Sequence, residues 1–340
     1  VKQLLLRRKR LTELGRFAKL IRTLRHQLME ISLRENLLSS IPNEIKILRN
    51  LTTLSLASNH IHTLQTDVFP NLPNLQWLVL SGNQISALPH DLVACRRLKG
   101  LDLQHNQFTE IPLLVYHLPC LSLLMLQNNR ITDVPLRDFP ETLTALNLSF
   151  NQLTDIPDGL IFRPPPALEH LYLSGNPITE IPPDFITHGY GRLISLDLHT
   201  CQLKHVPSAF LDSLATRCPR LVRLNLAINH ITALPDSIGR CATLQWLNLN
   251  DNRLTELPPT LANLERLVKL GLVKNELETL PPRMLCRMRQ LRKLDVRRNR
   301  LRYMPPSLLS VLTAQERSGA PETAVPWSVF SDSACPPSCA

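Results

Sequence analysis

The sequence predicts an α/β solenoid: a curved arc with a parallel sheet on its concave side and short helical, 3-10 or extended segments on its convex side. Three observations predict it. The line Leu-x-x-Leu-x-Leu-x-x-Asn-x-Leu-x-x-Leu/Ile/Val-Pro recurs from Leu28 to Pro305, usually every 23 or so residues. The second and third leucines of each copy stand two apart, a spacing that puts both on one side of a short strand. An asparagine returns at a fixed place behind them. Repeats of this period stack so that neighbours bury a continuous core.

The copies begin at Leu28, Leu51, Leu75, Leu98, Leu121, Leu143, Leu168, Leu193, Leu221, Leu244, Leu267 and Leu291. A degenerate copy precedes them as Val1, Leu4, Leu6, Lys9, Leu11 and Leu14, with Lys9 where asparagine is expected. Within a copy the strand comes first. Parallel strands need a crossover, and the segment after each Leu-Pro supplies it, with Ile45, Leu48, Leu92, Leu261 and Leu264 closing the core from behind. The asparagine marks the bend out of the strand, where a short amide can satisfy backbone groups that the bend leaves unpaired. In the eighth copy Cys201 takes its place. The longest step follows, and Pro207 to Cys218 reads as a true helix.

The predicted divisions are a basic N-terminal segment with the degenerate repeat (1–27), twelve repeats (28–305), a capping helix (306–318) and a disordered tail rich in Pro, Ser and Ala (319–340). The tail carries Trp327 and Phe330, read as a docking motif or a clasp on the cap. It also carries Cys335 and Cys339, open to palmitoylation or redox pairing but forming no prenylation box.

These copies resemble the leucine-rich repeat family over about four fifths of the chain. The Leu-Pro ending resembles the intracellular kind found in Ras-suppressor and Ras–Raf scaffold proteins, and the eighth copy resembles the Cys-bearing, helix-richer class. The resemblance implies a protein-binding scaffold in signalling, with a small GTPase, a phosphatase or a kinase-pathway member as partner. The alternative is the regulatory array of a larger cyclase, phosphatase, kinase or GTPase. Fold alone does not choose, because function lives in sites.

Composition narrows the classes. No apolar run of membrane-spanning length and no secretory signal is visible, although the chain begins at Val1 and reads as a fragment of a larger product. Eight cysteines without a Cys-rich cap suggest a reducing compartment, hence the cytoplasm, with the nucleus or the membrane periphery as alternatives. Cys95, Cys120, Cys218, Cys241 and Cys286 precede repeat starts and read as a core slot. The sequons at Asn50 and Asn147 read as chance matches. No phosphate-binding loop, kinase signature, zinc-protease helix or nucleophile elbow is present, so neither catalysis nor a cofactor is expected.

The net charge of +10 is concentrated at two places. Residues 1–27 hold nine Lys or Arg against Glu13, and residues 283–302 hold nine against Asp295. Such ends suit an acidic protein or an anionic membrane surface. Solvated terminal repeats, which need a polar outer face, account for them more simply. Nucleic acid is disfavoured, since no aromatic interleaving accompanies either run. A monomer is expected.

Function is therefore sought in the variable strand positions, the third and fifth of each copy. Copies three to seven place Trp77, Val79, Leu123, Met125 and Tyr172 on a surface expected to be wet, with Phe150 and His170 beside them. Copies eight to ten are polar, with Asp197, His199, Asn225 and Asn248 around Trp246; the last two are basic, with Lys269, Lys293 and Arg297. His170, Asp197 and His199 form a trio able to hold a metal or move protons, but the pattern places no nucleophile or fourth ligand. Twelve strands at about 4.8 Å give an inner arc of roughly 50 Å. That suffices for an interface of about 800 Å² per partner.

Overall fold

Among the described residues one parallel sheet of thirteen strands runs from end to end, its strands in strict chain order. The computed structural model describes residues 2–281 and 284–302, apart from the side chains of 285 and 286. The predicted capping helix (306–318) and tail (319–340), with Trp327, Phe330, Cys335 and Cys339, lie outside the described residues. The strands are β1 (Gln3–Leu5), β2 (Glu30–Ser32), β3 (Thr53–Ser55), β4 (Trp77–Val79), β5 (Gly100–Asp102), β6 (Leu123–Met125) and β7 (Ala145–Asn147). They continue as β8 (His170–Tyr172), β9 (Ser195–Asp197), β10 (Arg223–Asn225), β11 (Trp246–Asn248), β12 (Lys269–Gly271) and β13 (Lys293–Asp295). The degenerate first copy is a real repeat: β1 pairs with β2 in the common register.

Each strand is three residues long because only its middle residue and the leucine two places on face the core. The Leu-Pro step then starts the crossover. Pro42, Pro89, Pro112, Pro157, Pro207, Pro235 and Pro258 all lie near φ −60° with extended ψ, the conformation a pyrrolidine ring already favours. The carbonyl of each of six (Pro207 excepted) accepts a hydrogen bond from the N–H three residues on (Ile45 to Pro42, 3.0 Å; Leu261 to Pro258, 3.0 Å), which closes the first convex turn. The predicted helix of the longest step is present as Ser208–Arg217, with Phe210, Leu211 and Leu214 turned inward.

The asparagine column does what the bend requires. Asn151 is typical: its amide donates to Leu126 O (3.0 Å) in the preceding copy and to Leu148 O (3.0 Å) in its own, and its oxygen accepts from Ile131 N (2.9 Å). Each such asparagine staples two copies. At the eighth copy Cys201 offers a single Sγ donor to Leu173 O at 3.7 Å. At the N-terminus, where Lys9 stands in the asparagine's place, Asn36 of the next copy accepts from both Lys9 N and Leu11 N.

The cysteine slot is confirmed with one correction. Cys95, Cys218 and Cys241 are buried three residues before a repeat start, the place that Leu48, Leu72, Leu118 and Leu264 fill in other copies. Cys120 stands one residue before its repeat and is exposed, because Leu118 already occupies the slot. The Cys286 side chain lies outside the described ones. Burial pushes the thiols of Cys95, Cys201, Cys218 and Cys241 up to about 12. With mass mapping of alkylated cysteines, we expect Cys120 to react in the native protein and these four only after denaturation. Native labelling of Cys218 or Cys241 would contradict this packing.

Candidate functional site

The concave face carries a groove of about 540 Å³ that runs from the fourth repeat to the eleventh. Its centre is built from adjacent strands in register: Asn147 beside Tyr172, Tyr172 beside Asp197 and Asp197 beside Asn225. Phe150, Trp246 and Lys269 complete the line of predicted residues that reach it.

Local backbone geometry sets how each side chain is presented. The residue just before each asparagine adopts the left-handed conformation, among them Ser58, His105, Asn128, Phe150, Thr200, Ile228, Asp251 and Lys274, with Gly82 and Gly175 in the same column. That turn ejects the side chain at the strand's exit. Phe150 is thereby 46% exposed despite its size. Its ring lies over Gly175, where an added Cβ would come within 2.3 Å of it, and meets the edge of His199 at 6.3 Å between centroids.

The fifth-position acids and amides have a second task. The side-chain oxygens of Asp102, Asn147, Asp197, Asn225, Asn248 and Asp295 each accept a hydrogen bond from the N–H two residues on, at 2.9 to 3.3 Å. These turns hold the strand exits, so only part of each polar group is left to face a partner. His199 Nδ1 sits 2.8 Å from Asp197. Burial pulls this imidazole down, but the hydrogen bond and charge of Asp197 together outweigh it and hold it above its ordinary value. Burial, aided by the Arg223 charge, holds His170 below its ordinary value, and burial pushes the Tyr172 phenol up to about 12. The His170 ring stacks on Tyr172 at 6.3 Å. The expected trio is thus split into an Asp197–His199 pair and a stacked His170. Among the described residues, no group of three or more His, Cys, Asp or Glu side chains is arranged to hold a metal ion.

The apolar zone differs from the expectation. Val79 and Met125 are buried, at 5% and 7% exposure. Each is a fifth-position residue roofed by its lateral neighbours, Val79 between Ser55 and Asp102 and Met125 between Asp102 and Asn147. Side chains on closely spaced strands converge on the inside of an arc, so a medium side chain disappears there. Glu30, Ser32, Thr53 and Ser55 are buried for the same reason. Trp77 is half-buried; a Cβ on Gly100 would fall 2.1 Å from its ring, so the indole lies flat in the gap the glycine leaves. Neither Trp77 nor the half-buried Leu123 lines the groove, and His170, Asn248, Lys293 and Arg297 lie outside its lining as well.

Several lining residues were not singled out from the sequence: Gln104, His105, Gln127 and Asn128 just past the strands, and Val222, Gln245 and Val268 just before them. The columns on either side of the strand would have pointed to them, had they been read along with the strand itself.

Among the described residues, no helix is long and apolar enough to cross a membrane. The family profile for the leucine-rich repeat matches residues 49–108, 141–203, 219–277 and 242–301, and a two-copy leucine-rich repeat profile matches 96–141. A leucine-rich repeat protein of Leptospira interrogans superposes with a TM-score of 0.72 at 29% identity, covering 90% of this chain and 80% of that one. A MAP kinase phosphatase with leucine-rich repeats from Dictyostelium discoideum is 36% identical over 80 residues, 24% of this chain. An adenylate cyclase of Schizosaccharomyces pombe is 27% identical over 207 residues, 60% of this chain. The matched stretches span only 9% and 10% of those two enzymes. Profiles covering more than half of the sequence, joined to the thirteen-stranded parallel solenoid, establish that the chain belongs to the leucine-rich repeat family.

Proposed function

We propose that this chain is a non-catalytic protein-interaction scaffold of intracellular signalling that seats its partner in the concave groove. The observation that carries the reading is the groove itself: about 540 Å³ of concave space in which Phe150, Tyr172 and Trp246 stand among polar groups already fixed by their own backbone. Aromatic side chains in a partly desolvated hollow are the usual anchors of an interface. The resemblance to Ras-suppressor and Ras–Raf scaffold proteins favours a small GTPase, a phosphatase or a kinase-pathway component as partner. Buried free thiols at Cys95, Cys201, Cys218 and Cys241 fit a reducing cytoplasm.

A second reading makes the chain the regulatory array of a larger signalling enzyme. It is favoured by the similarity to a phosphatase and a cyclase in which the matched stretch is about a tenth of the protein. The sequence of the full transcript separates the two.

Affinity purification with mass spectrometry tests the groove. Loss of a central aromatic anchor should cost about 2 kcal/mol, roughly thirtyfold in affinity. We expect Tyr172→Ala and Trp246→Ala to lose the partners that the intact chain recovers, with thermal unfolding nearly unchanged and Trp77→Ala recovering them. Unchanged recovery with both groove variants would remove the proposal.

A further inference from the structure

The basic run of residues 283–302 is not one patch. On the exit side of the strands three of its charges are matched: Arg297 forks onto Asp295 (2.6 and 2.8 Å), Arg300 meets Glu276 (3.0 Å) and Arg302 meets Glu278 (3.1 Å). Lys274 of the preceding copy meets Asp251 (2.9 Å) in the same way. Exposed pairs like these add little stability, but they cancel the local field. The entry side is arranged differently. Arg223, Trp246, Lys269 and Lys293 stand side by side in register on β10 to β13. Arg292, just before β13, and Arg266, just before the repeat start at Leu267, are exposed, as are Arg223 and Lys293. Among the described residues no carboxylate lies within ion-pair distance of Arg223, Arg266, Arg292 or Lys293. The same register row is buried and acidic at the other end of the arc, at Glu30.

We infer that the entry-side row Arg223–Trp246–Lys269–Lys293 is a docking strip for an acidic, extended segment of a protein partner. This rests on the groove reading and specifies the chemistry of the partner. The geometry fits a polypeptide. Strands about 4.8 Å apart put Arg223 and Lys293 about 14 Å apart. An extended chain at about 3.3 Å per residue crosses that span in four or five residues. Alternate residues of an extended chain share a side, so carboxylates four residues apart would face Arg223 and Lys293, with the apolar residue midway between them near Trp246. The row lies on the inner face of an arc, which a planar lipid surface cannot enter. Its one aromatic is a single anchor, whereas single-stranded nucleic acid is held by successive stacking platforms. Exposed positive charge at Arg223 and Lys293 along a concave rim steers an oppositely charged chain into it.

Fluorescence anisotropy with a fluorescein-labelled peptide of repeated Glu-Glu-Phe-Glu units tests the strip. Arg223→Glu with Lys293→Glu is compared with Arg300→Glu and Arg302→Glu, a matched change of net charge on the exit side. All four residues are exposed, so both proteins should unfold at nearly the native temperature. Losing two rim cations should weaken the peptide about tenfold in the entry-side variant and weaken it little in the exit-side variant, with affinity falling as salt is raised. Equal losses in both variants, or no binding by the intact chain, would overturn the inference. So would tighter binding of a single-stranded oligonucleotide or phosphatidylserine vesicles through the same row. Recovery of cellular partners that survives the entry-side reversal but not Tyr172→Ala would leave the groove standing and remove the acidic segment alone.

Discussion

Asn151→Ala should lower the unfolding free energy by about 3–5 kcal/mol, although the side chain touches no surface a partner could use. Its three strong bonds are not equivalent. Leu126 O and Leu148 O each keep a second amide donor, from Asn129 (3.0 Å) and Asn176 (2.9 Å), so each loses one bond of two. The buried Ile131 N–H donates to the Asn151 oxygen at 2.9 Å and would lose that acceptor. One orphaned donor costs about 1–3 kcal/mol and two lost bonds add about 1 kcal/mol each. Asn299→Ala, in a part-buried setting at the last described copy, should cost about 1 kcal/mol by the same reasoning. Urea unfolding of the two variants provides the comparison. An Asn151→Ala protein within error of the intact chain would mean that these amides do not hold the copies together.

Gly175→Ala should have the largest effect on the site for the smallest change in volume. Gly175 sits at φ +67°, where an L side chain costs about 1–2 kcal/mol. Its new Cβ would also fall 2.3 Å from the Phe150 ring, and the phenyl group must leave the groove. Gly82→Ala is the natural comparison: φ is +65°, yet the nearest atom is Ser58 Oγ at 3.3 Å. Both variants should lose similar stability in urea, and only Gly175→Ala should lose the partners recovered through the groove. Equal partner recovery by the two would detach Phe150 from binding.

The fold was legible because its carriers are invariant within the chain. Leucines two apart, the asparagine and the Leu-Pro step each perform one physical task in almost every copy, so periodicity alone places strand, bend and crossover. The site was only half legible. Phe150, Tyr172, Asp197 and Trp246 follow from register, but register says which way a side chain points and not how much neighbours cover it. Val79 and Met125 show the difference: both point inward to the arc and both are roofed. The left-handed column was hidden because its occupants, from Ser58 to Lys274, share no chemistry; only Gly82, Gly175, Asn128 and Asp251 hint at it. The split of the basic run was hidden too, since each acid that neutralises Arg300 or Arg302 lies one whole copy away in sequence.

Oxidative footprinting of the complex with a purified, co-isolated partner tests the groove most directly, because it reads the protection of named side chains. Phe150, Tyr172 and Trp246 should be shielded when the partner is bound, while Phe162 and Leu136, both more than half exposed and outside the groove, should react as in the free chain. Protection of Phe162 and Leu136, with the three groove aromatics unchanged, would contradict the account.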